Sequence, residues 1–218
     1  MTLPALVVFD LAGTTIEDRG QVPAAFAAAL AAHGIVATAD QITRVRGASK
    51  RQAIRAFVAA DAEALRVYTS FQLELAARFE TDRVNPIAGA AECFRALRDA
   101  GAKVALTTGF DRDITGLLIA ALSWQDAADT IVCGDDVAQG RPAPDLILRA
   151  MAETGVSDAT AVATVGDTTL DLEAGAAAGV GWNIGVLSGA HGRPALERAP
   201  HTHLIQSVAA LRGLWRLA

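Results

Sequence analysis

The sequence predicts an α/β protein: a doubly wound parallel sheet with helices on both faces and a small helical domain inserted after the first strand. Three observations carry this. Short apolar runs alternate with helix-length amphipathic stretches, several of those stretches stop at glycine, and one long N-terminal segment is helical almost throughout. At 218 residues, 52% hydrophobic and 20% charged, the chain can bury one large core or a core with a small insert. Disordered, collagen-like and low-complexity architectures are excluded.

Residues 6–9, with Val7 and Val8 adjacent, form a continuous apolar run of the kind found in buried parallel strands. From about Gln21 to Arg83 the pattern is helical, with turn-like breaks at His33–Gly34 and Arg46–Gly47. Residues 18–83 are therefore assigned to a helical insert and residues 1–17 and 84–218 to the core. Asn85 marks the return, because the residue before Pro86 is pushed out of the helical region. Helices follow at 88–100, 112–122, 144–154 and 170–178, with Gly101, Gly155 and Gly179 as stop signals. Strands are expected at 104–106, 130–132 and 161–165, and weaker ones at 182–186 and 203–205. Whether the Ala-rich helix at 23–32 joins two copies is left open, so the chain is expected to be a monomer or homodimer.

A net charge of -5 with scattered arginines argues against nucleic acid as a partner. Cys93 and Cys133 lack metal-ligand spacing and read as buried thiols of a reducing compartment. No basic leader and no run of 18 apolar residues is visible, so a soluble cytoplasmic protein without membrane contact is expected. Only two of the 19 basic residues are lysines, Lys50 and Lys103. Any chemistry that needs a side-chain amine must use one of them.

Ligands of an open parallel sheet bind at the carboxyl ends of its strands. The residues there are Asp10-Leu11-Ala12-Gly13-Thr14-Thr15, Thr107-Thr108-Gly109, Asp135-Asp136 followed by Gly140-Arg141-Pro142, and Gly166-Asp167-Thr168-Thr169-Leu170-Asp171. A lone Asp after a strand is a common helix cap. Four such clusters in order, each at a strand end, point instead to a site. Hard carboxylate oxygens can hold a divalent cation that screens an anionic nucleophile from an anionic phosphate, and Arg141 adds a permanent cation.

These motifs resemble the haloacid dehalogenase-like hydrolase superfamily over nearly the whole chain, with a Rossmann-like core and a helical cap. The resemblance implies Asp10 as nucleophile and magnesium ligand, with Mg2+ also bound by the Ala12 backbone carbonyl and Asp167. Asp171 is implied as a ligand or a partner behind the ligands. Ala12, Gly13, Thr14, Thr108, Gly109 and Arg141 are implied phosphate contacts. Most phosphatases of this superfamily carry a second aspartate where this chain has Ala12, and a methyl group can neither donate nor accept a proton.

Asp-x-Ala-Gly-Thr-Thr, Thr107-Thr108-Gly109-Phe110 and Gly140-Arg141-Pro142 resemble the phosphonoacetaldehyde hydrolase branch. There a cap lysine forms a Schiff base with the substrate aldehyde and accepts the electrons of the breaking carbon–phosphorus bond. The matching residue is Lys50, which must be neutral to attack, so burial or a nearby Arg46 or Arg51 should lower its pKa. Ala53 and Arg46 depart from that branch, which has histidine and methionine there. The expected substrate is a small phosphonate or phosphorylated metabolite. The alternatives are a phosphatase in which Lys50 only contacts substrate, and a non-catalytic phosphate-binding regulator. Lys103 is expected to be solvated at the far end of the sheet, His201 and His203 at the surface, His191 on a loop near the site, and Trp182 and Trp215 in packing.

Overall fold

The computed structural model describes residues 2–217. Chain order is β1 (Leu6–Asp10), α1 (Gln21–Ala32), α2 (Ala39–Arg44), α3 (Lys50–Arg55), α4 (Asp61–Thr81), α5 (Ala90–Asp99), β2 (Lys103–Thr107), α6 (Arg112–Leu122), β3 (Thr130–Val132), α7 (Asp145–Thr154), β4 (Val162–Gly166), α8 (Thr169–Ala178), β5 (Trp182–Val186), α9 (Arg193–Leu196), β6 (His203–Ile205) and α10 (Leu211–Trp215). The six strands form one parallel sheet in the order β3-β2-β1-β4-β5-β6. The α/β class is as the alternation predicts.

All five residues of β1 are buried, as suits a strand covered on both faces. Side chains alternate across the sheet. Val7 and Phe9 join Phe94 and Leu97 on one face, while Leu6 and Val8 join Leu146, Ile147 and Met151 on the other. Phe9, Phe94 and Trp124 stack edge to face at 5.0 and 5.2 Å, each such pair worth about 1 kcal/mol beyond its buried area. Trp215 is buried, and Trp182 is half-buried against the same core. Both cysteines are buried and free.

Sequence boundaries shift by a residue or two where a turn competes. The strand expected from residue 161 starts at Val162, because Asp158 accepts from the Thr160 amide at 2.9 Å and closes 159–161 into a 3-10 turn. The helix expected from residue 88 starts at Ala90, after Gly89 in the left-handed conformation.

The insert holds four helices rather than the three that its two predicted breaks define. The extra break, at 56–60, contains no turn residue. Instead Val58 is buried and Phe57 meets Phe26 edge to face, so packing overrides helix propensity there. Among the described residues no helix is long and apolar enough to cross a membrane.

Candidate active site

The parallel register sets the site. Asp10, the last residue of β1, pairs with Thr107, and Val165 pairs with Phe9, so Asp167 emerges just beyond the neighbouring strand. This is the point where the chain leaves β1 for opposite sides of the sheet, the usual crevice for a ligand.

Arg141 reaches into that crevice from the loop before α7. Its Nη1 donates to Asp10 Oδ1 at 2.6 Å, its Nε faces Asp171 Oδ1 at 2.9 Å, and its Nη2 donates to Thr107 Oγ1 at 2.9 Å and the Thr107 carbonyl at 3.3 Å. A guanidinium has five N–H groups, so one is left for a ligand. Asp171 is engaged on both oxygens: beside Arg141 on Oδ1, its Oδ2 accepts from the Thr168 amide at 3.0 Å and the Thr168 hydroxyl at 2.6 Å, as part of the capping box that starts α8. Asp171 therefore supports Arg141 and the helix start, while Asp10 and Asp167 line the cavity.

Asp167 is cradled by backbone. The Ala190 amide donates to its Oδ2 at 2.6 Å and the Thr14 hydroxyl to its Oδ1 at 3.2 Å. Gly13 lies against the same carboxylate with φ 96°, where any Cβ would collide with Asp167 Oδ2. Thr14 is fully buried and spends its hydroxyl on Asp167. Ala190 was not visible as a site residue in sequence, because a backbone donor leaves no side-chain signature. Thr108 lines the cavity, and its hydroxyl oxygen accepts from the Phe110 amide at 3.1 Å, leaving its proton free to be donated.

The electrostatics ask for a cation. Burial, opposed by Arg141 and reinforced by Asp171, raises the Asp10 carboxyl to about 6. Burial and the neighbouring Asp10 raise Asp167 to about 8. Burial works against the Arg141 charge, but Asp171 and Asp10 outweigh it and push its pKa further up. Ala12 lines the same cavity, and its carbonyl accepts no hydrogen bond among the described residues. Two carboxylates driven toward protonation beside a free carbonyl are a donor set that fits a hard divalent ion.

Lys50 closes the cavity from the insert. It opens α3 after Ser49, which caps the helix by accepting from the Gln52 amide at 3.3 Å. Its Nζ donates to the Ala48 carbonyl at 3.2 Å and lies 5.3 Å from the centroid of the Phe110 ring. Burial, opposed by Asp10 and aided by Arg141 and Arg46, lowers the amine from 10.5 to about 8. Insert and core meet through backbone here: the Lys50 amide donates to the Gly109 carbonyl at 3.3 Å, and a Cβ on Gly109 would lie 2.7 Å from the Ala48 carbonyl oxygen. At the mouth Arg46 is ion-paired with the buried Asp18, a residue whose role sequence did not suggest. On the far side of the insert Gln72 donates to Asp111 Oδ2 at 3.0 Å.

Other candidates fall outside the cavity. His191 is half-buried beside it, where its Nδ1 accepts from the Thr169 amide at 3.1 Å and burial lowers its pKa. Asp135 and Asp136 accept from Arg112 and the Cys133 amide. His201 and His203 bond to Ala199 and Thr202. Lys103 is exposed at the opposite end of β2, paired with Asp129 at 2.9 Å. A larger hollow of about 770 Å3 opens there, but its Arg98 and Lys103 are paired with Asp129 and it holds no buried carboxylate among the described residues.

A haloacid dehalogenase-like hydrolase model matches residues 7–183. The chain belongs to that family and is a hydrolase of it. Within the family it falls in the phosphonoacetaldehyde hydrolase-like branch. It is 31% identical over 201 residues to phosphonoacetaldehyde hydrolase of Paraburkholderia xenovorans, covering 83% of this chain and 73% of that one. It is 28% identical to the Bacillus cereus enzyme of the same name, covering 84% and 75%. A hydrolase from Pseudomonas syringae superposes with a TM-score of 0.89 at 25% identity, covering 98% and 99%.

Proposed function

We propose that this protein is a magnesium-dependent phosphonatase that cleaves the carbon–phosphorus bond of a small 2-oxo phosphonate. Residues 18–83 act as a cap over the core formed by 1–17 and 84–218. The observation that carries the reading is the placement of the buried Lys50 amine and the Asp10 carboxylate on one cavity, with a methyl group at Ala12 where an acid would otherwise sit.

A pKa of about 8 leaves roughly a quarter of the Lys50 amines neutral at pH 7.5, against about a thousandth for an ordinary lysine. The neutral amine attacks the substrate carbonyl, water leaves, and a protonated imine forms. Asp10 then attacks phosphorus. The electron pair of the breaking bond moves into the imine to give an enamine, so no leaving oxygen needs a proton and Ala12 costs the reaction nothing. Magnesium held by Asp10, Asp167 and the Ala12 carbonyl would neutralise the charge that the phosphonate brings to the two carboxylates. Arg141 orients Asp10, and its remaining N–H and the Thr108 hydroxyl receive phosphoryl oxygens.

The test is borohydride reduction of the protein with phosphonoacetaldehyde, followed by mass mapping. An adduct on Lys50 is expected, with phosphate release abolished in Lys50→Arg and in Asp10→Asn. Phosphate released from esters at equal rates by wild type and Lys50→Arg would make the protein a phosphatase in which Lys50 only contacts substrate. No turnover of any phosphorylated compound would make it a binding protein.

A further inference from the structure

Beside Lys50, adjoining the active-site cavity, the helical insert holds a second, apolar void. Val22, Phe26, Ile42, Val45 and Ala53 wall it, and it shares Val22, Arg46 and Lys50 with the catalytic cavity. The catalytic part has about 40 Å3 of space for the centre of a water-sized sphere and the recess about 10 Å3, enough for one group of water or methyl size. A water there would find almost no polar partner, so the void suits a carbon substituent.

Charge points the same way. Arg46 is neutralised by Asp18, and Arg141 by Asp10 and Asp171. Among the described residues that line the recess, Lys50 is the one cation without an ion-pair partner, and it must be neutral to react. A carboxylate or second phosphate on the far end of the substrate would be buried without a partner.

From this geometry, and resting on the phosphonatase reading, we infer that the recess selects methyl-ketone phosphonates: the substrate class is 2-oxoalkylphosphonates with one carbon beyond the carbonyl. The Lys50 amine adds to the ketone carbon and water leaves. As an Asp10 oxygen bonds to phosphorus, the carbon–phosphorus pair enters the iminium to give an enamine. A solvent proton then returns to the former phosphonate carbon. One water releases the methyl ketone from Lys50, and a second releases phosphate from Asp10.

The test compares kcat/KM for phosphonoacetaldehyde, 2-oxopropylphosphonate and 2-oxobutylphosphonate in wild type, Ala53→Val and Ala53→Gly, with circular dichroism to establish folding. Wild type is expected to release phosphate and acetone from the propyl compound. Ala53→Val, which fills the recess, should lower the ketone-to-aldehyde ratio about tenfold. Ala53→Gly, which deepens it, should raise the butyl-to-propyl ratio. Cleavage of the aldehyde without cleavage of either ketone overturns the inference and leaves the phosphonatase reading standing, and so do substrate ratios that both variants leave unchanged. Cleavage of none of the three overturns that reading and the inference with it.

Discussion

Replacing Lys50 by methionine should stabilise the fold and, on the proposed mechanism, abolish phosphonate cleavage. The amine is held in a site that lowers its pKa from 10.5 to about 8, chiefly by burial. At about 1.4 kcal/mol per pH unit this places a penalty of about 3 kcal/mol on the folded state at pH 7. The sign follows from proton binding: between pH 8 and 10.5 the unfolded chain holds the Lys50 proton and the folded chain does not, so wild-type stability from this group rises with pH across that window. At pH 9.5 the penalty has fallen to about 1.4 kcal/mol. Methionine has a similar length and no charge, but it leaves the Ala48 carbonyl without its donor, a loss of about 1 kcal/mol. The variant should therefore be more stable by about 2 kcal/mol at pH 7 and nearly equal to wild type at pH 9.5. Urea denaturation with a chelator present at both pH values measures this. A variant less stable than wild type at pH 7, or an advantage that does not shrink with pH, refutes the reasoning.

Asp10 and Asp167 titrate near 6 and 8, above the unfolded value of 3.8, so their burial destabilises the cation-free protein progressively as pH rises from about 4 to 8. Millimolar magnesium should consequently raise the melting temperature more at pH 8 than at pH 5 in a thermal scan, and an equal or larger shift at pH 5 would contradict the assignment. Gln72→Ala removes the hydrogen bond that ties the insert to Asp111, worth about 1 kcal/mol, so KM should rise about fivefold with kcat little changed in steady-state assays. Gly109→Ala places a methyl 2.7 Å from the Ala48 carbonyl oxygen. It should hold the insert off the core and cut kcat/KM at least about tenfold, while the urea midpoint moves little.

The fold class was legible because buried parallel strands leave continuous apolar runs, and the order of elements places Asp10, Thr108 and Asp167 at or just beyond strand ends and Arg141 on the loop after β3, whatever the details of packing. The poverty in lysine also left Lys50 as the one amine within the insert. Packing decided what could not be read locally. The break at 56–60 depends on Phe57 meeting a ring thirty-one residues earlier in the chain. The pairing of Asp18 with Arg46 and the Ala190 amide on Asp167 join segments with no local pattern. Arg141 illustrates the division: its charge was evident from its letter, but the engagement of most of its N–H groups with Asp10, Asp171 and Thr107 required the ends of β1 and β2 and the first turn of α8 to converge. Residue type dictates what a group can donate or accept. Burial and the partners brought to it dictate what remains for a ligand, and those are properties of the folded chain.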